Sequence, residues 1–232
     1  MLDSAIQDRL SREVRGETRF DAFSRGRYAT DASIYQIMPA GVIVPRAPED
    51  ISAAIEAARS AEIPLTMRGG GTSQCGQTVN SGLIVDCSKH LNRILELDVA
   101  GRRAVVEPGI VLDDLNRALK PHGLWFPVDV STASRATIGG MVGNNSCGSR
   151  SLRYGTTRDN VARIEGYLAD GTPFDFGPGS GNRVPEALLR QMLDLGTREA
   201  NEIAARFPQV QRRVGGYNID ALVPGDAPIN LA

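Results

Sequence analysis

The distribution of apolar and polar residues along the first half of the chain predicts short strands and one helix. Runs of strand length occur at residues 41–45, 64–68 and 83–87, and the first and last of them are mainly apolar. Between the first two runs, Pro48 opens a stretch in which apolar residues recur at helical spacing. Residues 41–68 are therefore predicted to form a β-α-β unit.

The second half alternates hairpin and helix patterns. Two hairpins are predicted, one over residues 93–108 with its turn at Ala100-Gly101 and one over 162–176 with its turn at Asp170-Gly171. Leucines at helical spacing predict a helix over Leu112–Leu119 with Gly123 just past its end. The last predicted helix begins near Leu188 and breaks at Gly196. Together these elements indicate a mixed α+β fold.

Residues 1–40 are polar and irregular, and we predict that they form an N-terminal arm. A short helix over Ala5–Val14, capped by Ser4, is expected there. Residues 19–39 are predicted to be extended chain with turns, so regular structure is expected to begin at Gly41.

Composition excludes several classes of protein. The 232 residues carry a net charge of −1 and are 41% hydrophobic, which is typical of a folded soluble protein and disfavours a broad nucleic-acid-binding face. No apolar run approaches the roughly 20 residues that a membrane span needs. The N-terminus lacks the apolar core of a signal peptide, so a cytoplasmic location is expected.

Cysteine and histidine are too few and too scattered for a disulfide framework or a zinc site. The three cysteines are Cys75, Cys87 and Cys147, and the two histidines are His90 and His122. We interpret Cys147 as a small packing residue rather than a redox thiol, and we expect the histidines in a surface turn and at a helix end. No metal site is predicted.

Glycine is in excess and clustered. The chain has 25 glycines among its 232 residues, or about 11%, whereas the usual share is about 7%. One cluster, Arg68–Ser73, follows a strand, and three successive glycines there can turn several N–H groups toward a phosphate, with Arg68 able to supply charge. A mobile surface loop explains such a triplet equally well. Neither the P-loop nor the G-x-G-x-x-G pattern is present.

The second cluster covers residues 136–148. Thr137 is predicted to cap a short helix whose second and third residues are Gly139 and Gly140, leaving free N–H groups at its start for an anion. A tightly packed turn is the alternative. Two such regions about 70 residues apart suggest one dinucleotide lying across both.

The order of these motifs resembles a known family. RGGGTS after the β-α-β unit, LIVDCSKHLNRILELD, VEPG, LNRALKPHGLWFPVD, ATIGGMVGNNSCGSRSLRYG, DNV and LADG resemble, over residues 27–222, the FAD-binding domain of the PCMH type, whose fold is vanillyl-alcohol-oxidase-like. The chain is most similar to FAD-linked D-2-hydroxyacid dehydrogenases of the D-lactate, glycolate and D-2-hydroxyglutarate types. Its leader resembles larger flavoproteins that also carry an iron–sulfur half.

The resemblance implies a division of the chain into parts. The FAD-binding domain is expected over residues 41–222, with a first subdomain at 41–108 that carries the pyrophosphate loop and a second at 109–222. Residues 223–232 are expected to lead toward a cap domain that this chain lacks.

The resemblance also implies FAD contacts at small or polar positions. In the pyrophosphate loop and its continuation they are Arg68, Gly69, Gly70, Gly71, Thr72, Ser73, Gln74 and Gln77. At the next strand end and the loop that follows they are Pro108, Gly109, Pro127, Val130 and Ser131. In the second glycine-rich region they are Thr137, Gly139, Gly140, Asn144, Asn145, Cys147 and Gly148, and Val161 adds a backbone contact at the nucleotide end.

The implied activity is hydride transfer from C2 of a D-2-hydroxy acid to FAD. The flavin is expected to be non-covalent, since Thr72 stands where some relatives carry the linking histidine. No catalytic base is evident, the substrate is expected to meet a cap domain, and the isolated chain is expected to bind FAD with little turnover. The sequence does not identify the electron acceptor. The alternatives are an inactive FAD-binding fragment and a reductase of the enolpyruvyl-sugar type on the same fold.

Overall fold

The structure is a computed structural model that describes residues 2–177, 185–210, 213, 216–225 and 229–232. Its contacts divide the chain into two compact units, Met1–Phe126 with Val130–Asn144, and Pro127–Asp129 with Asn145–Ala232. The predicted subdomain boundary between residues 108 and 109 falls inside the first unit.

The regular elements of the first unit agree in outline with the hydrophobic pattern. Its helices are α1 Ser4–Glu13, α2 Ala22–Gly26, α3 Pro48–Ser60, α4 Leu112–Leu119 and α5 Ile138–Gly143, with a 3₁₀ turn at Lys120–His122. Its strands are β1 Glu17–Arg19, β2 Gly41–Val44, β3 Leu65–Arg68, β4 Leu83–Asp86, β5 Ile94–Asp98 and β6 Arg103–Val106.

The central sheet has the strand order β1-β2-β4-β3. Both β2 and β3 run parallel to β4, and β1 runs antiparallel to β2. The predicted β-α-β unit is present, because α3 connects β2 to β3. However, β4 is inserted between its two strands, so they are not neighbours.

Strands β2 and β4 are buried on both faces, which explains why they are mainly apolar. On one face, Ile43, Leu83 and Val85 pack with residues of α1 and α3. On the other face, Val42, Val44 and Ile84 pack against Tyr28. The sheet therefore packs against N-terminal residues on both of its faces.

The prediction that the N-terminal arm, residues 1–40, is irregular is wrong for residues 17–26. Strand β1 pairs with β2, and helix α2 follows it with Asp21 as its N-cap. The first helix is present, but Asp3 rather than Ser4 caps it, because the Asp3 carboxylate accepts the N–H of Ala5 at 2.8 Å. Regular structure thus begins well before Gly41.

Strands β5 and β6 form the predicted first hairpin, and α4 ends as predicted. Gly123 closes the 3₁₀ turn after α4 with a φ of 68°, a left-handed conformation that glycine adopts without strain.

The second unit contains helices α6 Ser151–Tyr154, α7 Glu186–Arg198 and α8 Ala200–Arg206 and strands β7 Ile164–Tyr167 and β8 Pro173–Phe176. It also has 3₁₀ turns at Arg158–Asn160 and Ile219–Leu222. The hairpin predicted over residues 162–176 is confirmed by the antiparallel pairing of β7 with β8. None of the helices in the described part of the chain is long and apolar enough to cross a bilayer.

The predicted helix break at Gly196 is wrong. Gly196 lies inside α7, and the chain breaks three residues later, at Glu199. A Cβ at Gly196 would come within 2.0 Å of the Leu222 carbonyl oxygen. Glycine is therefore present for close packing and not to end the helix.

Candidate functional site

A cavity of about 370 Å³ opens in the first unit where the parallel strands β3 and β4 end. The carboxyl ends of parallel strands are a common place for ligands. The cavity is lined by Arg27, Tyr28, Arg68, Gly69, Gly70, Asp86, Ser88, Val111, Ser134, Arg135 and Thr137. Both glycine-rich regions contribute to it, as the sequence suggested.

The two glycine-rich regions are in direct contact. A Cβ at Gly69 would lie 2.1 Å from Thr137 Oγ1, and a Cβ at Gly70 would lie 2.2 Å from the carbonyl oxygen of Arg135. Real Cβ atoms do not approach other atoms so closely. The first two glycines are therefore required because the loop packs against Arg135 and Thr137 directly before α5, whatever ligand the loop binds.

In the part of the chain that the structure describes, the backbone N–H groups at the start of the first loop are free. None of the described residues accepts a hydrogen bond from the N–H of Gly69, Gly70, Gly71 or Thr72. Gly71 has a φ of 65°, the left-handed conformation that lets successive N–H groups face one point. This loop has the donors that a phosphate requires.

The guanidinium of Arg68 is engaged with carbonyl oxygens of the chain itself. It donates to the carbonyl oxygens of Tyr28 and Thr78, each at 3.3 Å, and of Thr30 at 2.8 Å. Burial lowers the pKa of Arg68 below its ordinary value. The predicted role of Arg68 as a charge for the pyrophosphate is thus not the role that its contacts support.

Asp86 lies at the end of β4, and both oxygens of its carboxylate accept hydrogen bonds. Tyr28 Oη donates to Asp86 Oδ2 at 2.7 Å, and the N–H and hydroxyl of Ser88 donate to Oδ1 at 2.8 and 2.6 Å. Burial and the hydrogen bond to Asp86 raise the pKa of Tyr28 to about 12. Tyr28 therefore stays protonated and fixes the carboxylate against the cavity wall.

The start of α5 differs from the first loop. Thr137 caps the helix as predicted, with its Oγ1 as an acceptor. The three N–H groups of the first turn all donate within the protein: Ile138 to Ile110 O at 2.9 Å, Gly139 to Pro108 O at 2.8 Å and Gly140 to Thr137 Oγ1 at 3.3 Å. The prediction that this helix start leaves free N–H groups for an anion is therefore wrong.

The other predicted residues of the first unit support these two regions. Gly109 donates to Leu91 O at 2.7 Å, and a Cβ on it would lie 2.0 Å from Cys87 O. Gln77 Nε2 donates to Asn144 Oδ1 at 3.1 Å, which joins the first loop to the end of α5. The remaining predicted residues of this unit are Ser73 and Gln74 in the loop and Val130 and Ser131 before α5.

Five predicted residues belong to the second unit: Pro127, Asn145, Cys147, Gly148 and Val161. Asn145 has a φ of 44°, and its Oδ1 accepts the N–H of Arg158 at 3.0 Å. Its Nδ2 is buried, and none of the described residues accepts a hydrogen bond from it. An unsatisfied buried donor of this kind indicates a missing acceptor, such as a ligand.

The loop around Gly148 is shaped by Asp129. The Asp129 carboxylate accepts the hydroxyl of Ser149 at 2.6 Å and the N–H of Arg150 at 2.9 Å, and the Ser149 hydrogen bond holds the pKa of Asp129 below its ordinary value. A Cβ at Gly148 would lie 2.2 Å from Asp129 Oδ1. Gly148 is thus required by packing.

Neither histidine lies among the residues that line the cavity. His90 Nε2 lies 2.9 Å from Glu17 Oε1 and is largely buried, so the expectation of a simple surface turn is incomplete. Hydrogen bonds from Lys89, His90 and Arg19 lower the pKa of Glu17 to about 2. His122 lies in the 3₁₀ turn after α4, at the predicted helix end.

Sequence reasoning missed the cavity residues Arg27, Tyr28, Asp86, Ser88 and Arg135. Asp86 carried a usable signal, because it is the polar residue at the carboxyl end of an otherwise apolar parallel strand. Tyr28 carried none, since its partner Asp86 lies 58 residues further along the chain.

A protein-family model described as an FAD binding domain matches residues 39–177. The chain belongs to this family of FAD-binding domains. A D-2-hydroxyglutarate dehydrogenase of Pseudomonas putida is 36% identical over 233 residues, covering 94% of this chain and 23% of the relative. A glycolate oxidase subunit of Bacillus subtilis is 39% identical over 175 residues, covering 74% and 37%.

The fold agrees with this family. An alkyldihydroxyacetonephosphate synthase structure superposes with a TM-score of 0.70 at 17% identity, covering 78% of this chain and 36% of that one. The fold is therefore the PCMH-type, vanillyl-alcohol-oxidase-like FAD-binding fold. The chain spans only about a quarter to a third of the length of the curated relatives named above.

The residues present fit FAD in each unit taken separately. In the first unit, the free N–H groups of Gly69–Thr72 are suited to a pyrophosphate. In the second unit, the buried and unsatisfied Asn145 Nδ2 is a donor that requires an acceptor. Both features follow from this chain's own atoms.

Proposed function

We propose that this FAD-binding domain is part of an oxidoreductase that oxidises a D-2-hydroxy acid. The observation that carries the proposal is the row of free N–H groups at Gly69–Thr72, beside the end of a parallel strand. The substrate class is inferred from the names of the relatives, which act on 2-hydroxyglutarate and glycolate. When bound, FAD supplies the two-electron acceptor for hydride removal from C2.

In the first unit, the N–H groups of Gly69–Thr72 are assigned to the pyrophosphate, with Ser73, Gln74 and Gln77 next to it. The segment before α5 holds this loop in place through its contacts with Gly69 and Gly70. In the second unit, Asn145 Nδ2 is assigned to an acceptor of FAD. The other positions implied by the family resemblance are part of the same proposal: Pro108, Gly109, Pro127, Val130, Ser131, Thr137, Gly139, Gly140, Asn144, Cys147, Gly148 and Val161.

FAD is held without a covalent bond in this proposal. Thr72 has no nucleophilic nitrogen, and the side chain of His90 is engaged with Glu17. Acid precipitation of the FAD-loaded chain should release all yellow colour into the supernatant. Colour that stays in the pellet would contradict non-covalent binding.

The substrate class is tested by exchange into a full-length relative. The P. putida relative is made with its matching residues replaced by this chain, and a second exchange carries Gly70→Val as the control. Anaerobic addition of D-2-hydroxyglutarate, D-lactate or glycolate should bleach the flavin absorbance of the first protein, and the control should contain no flavin.

Bleaching by L-2-hydroxy acids alone would contradict the proposed substrate class. Bleaching by a nicotinamide reductant, with none by any hydroxy acid, would favour the reductase alternative. The isolated 232 residues are expected to bind FAD and to show no substantial turnover with an artificial acceptor. A cytoplasmic location and the need for a cap domain stay predictions.

A further inference from the structure

The guanidinium of Arg68 joins two separate stretches of chain. Its three acceptors are the carbonyl oxygens of Tyr28 and Thr30 in the N-terminal segment (residues 28–32) and of Thr78 at the far end of the loop. It also lies 5.3 Å from the centroid of the Tyr28 ring. The Arg68 side chain therefore connects the start of the glycine loop both to the end of the loop and to the N-terminal segment.

Two further hydrogen bonds reinforce the same connection. Ala32 N–H donates to Gly71 O at 3.1 Å, and Thr78 Oγ1 donates to Asp31 Oδ2 at 2.9 Å. The N-terminal segment thus contacts the loop at Arg68, Gly71 and Thr78. These polar contacts act together with the packing of Tyr28 against the sheet.

The guanidinium also lies directly beside the left-handed residue of the loop. A Cβ on Gly71 would lie 2.7 Å from Arg68 Nη2. Burial lowers the pKa of Arg68, while Asp86 and Asp31 oppose that shift, so the group remains charged at neutral pH. A planar charged group in this place limits how far Gly71 can move.

We propose that Arg68 is a positioning residue for the FAD pyrophosphate loop, which acts by holding residues 69–78 against the N-terminal segment and not by pairing with the phosphates. This inference rests on the proposed FAD function of the loop. Pre-ordering the loop lowers the entropy lost on binding, so Arg68 raises affinity without contacting the ligand.

Replacing Arg68 by lysine and by glutamine separates a role in holding the loop from a role in pairing with the phosphates. Arg68→Lys keeps the charge but loses the planar fork that reaches three carbonyl oxygens. Arg68→Gln removes the charge. Arg12→Lys and Arg12→Gln, at an exposed position of α1, are the matched controls.

The experiment has one readout without FAD and two with it. Amide hydrogen exchange of the FAD-free chain should become faster at residues 70–78 in Arg68→Lys and remain unchanged in Arg12→Lys. The dissociation constant for FAD, measured by flavin fluorescence, should rise at least about tenfold in Arg68→Lys, as expected for lost charged hydrogen bonds. The slope of log Kd against log salt concentration should be the same in wild type and Arg68→Gln.

Three results would overturn the inference. They are FAD affinity within twofold of wild type in Arg68→Lys, a smaller salt slope in Arg68→Gln, or unchanged exchange of residues 70–78 in the FAD-free Arg68→Lys chain. A wild-type chain that does not bind FAD would contradict the proposed function instead. The exchange measurement would still decide whether Arg68 orders the loop.

Discussion

The two glycine-rich regions look alike in sequence but use their backbone differently. At Gly69–Thr72 the N–H groups have no acceptor among the described residues. At the start of α5 every N–H group of the first turn already donates to a protein oxygen. Glycine permits close packing in both places, but of these two sets of backbone N–H groups only those at Gly69–Thr72 have no acceptor among the described residues.

The comparison shows that glycine content alone does not identify a phosphate site. Gly69 and Gly139 are both required because a Cβ would collide with neighbouring atoms. What distinguishes the regions is where the backbone donors point after this packing is satisfied. The first loop thus offers backbone donors to a ligand, and the start of α5 is the support against which this loop rests.

Substitution at Gly70 should have the largest effect. The Cβ branch of Gly70→Val would collide with the Arg135 carbonyl oxygen, which a Cβ already meets at 2.2 Å, so the loop must move and its donors lose their alignment. We expect no measurable FAD uptake in a fluorescence titration. Gly26→Val is the control, because nothing lies within 4 Å of a Cβ there.

The β7–β8 hairpin should remain folded in Gly70→Val, as judged by amide exchange of residues 164–176. Near-normal FAD affinity of this variant would show that the first loop does not bind the cofactor. The distinction drawn between the two glycine-rich regions would then be wrong.

Substitution at Gly139 should affect stability more than cofactor chemistry. A Cβ at Gly139 would lie 2.6 Å from Pro108 Cβ and 2.9 Å from its carbonyl oxygen. Gly139→Ala should lower the free energy of unfolding by about 1–3 kcal/mol, as overpacking does. Gly143→Ala in the same helix has open space around its Cβ and should be neutral or slightly stabilising in urea unfolding. Equal effects of the two substitutions would contradict the packing role.

Removal of the Thr137 cap should have a smaller effect. Thr137→Val keeps the shape of the side chain but loses the oxygen that accepts the N–H of Gly140. The free energy of unfolding should fall by about 1 kcal/mol, the usual worth of an N-cap. A variant as stable as wild type in urea unfolding would mean that α5 does not depend on this cap.

The smallest expected effect is a pH dependence of the free energy of unfolding that arises from Asp31. This carboxylate supports only the first glycine-rich region, through its hydrogen bond from Thr78. Burial raises its pKa, but hydrogen bonds from Ser33 and Thr78 outweigh it and hold the pKa below the ordinary 3.8. A lowered native pKa adds stability that is present above pH 3.8 and is lost as the pH falls through the native value.

Asp31→Asn should therefore be less stable than wild type at pH 7, by no more than about 1 kcal/mol because solvent screens this partly exposed group. The difference should shrink as the pH falls below the ordinary carboxyl range. A difference that grows on acidification would have the wrong sign for this account.

The sequence predicts the elements well where one apolar period dominates, as in β2, α3 and α4. It does not predict that β4 lies between β2 and β3, because all three strands are short and none of them carries a pattern that fixes its neighbours. Gly196 was interpreted as a helix breaker since glycine has low helix propensity, whereas the approach of Leu222 O decides its role.

The glycine loop could be located from its sequence, but the direction of the Arg68 side chain could not. Its acceptors at Tyr28 and Thr30 lie about 40 residues earlier, and only the folded sheet brings them to the loop. For the same reason, sequence could not reveal that Ile110 and Pro108 satisfy the first turn of α5.

Amide hydrogen exchange of the wild-type chain with and without FAD tests the central claim most directly. FAD should slow exchange strongly at Gly69–Thr72, where the N–H groups are free without it. It should change exchange little at Ile138–Gly140, where protein oxygens already accept these N–H groups. Unchanged exchange at Gly69–Thr72, or new protection confined to Ile138–Gly140, would contradict the assignment of the first glycine-rich region to the cofactor.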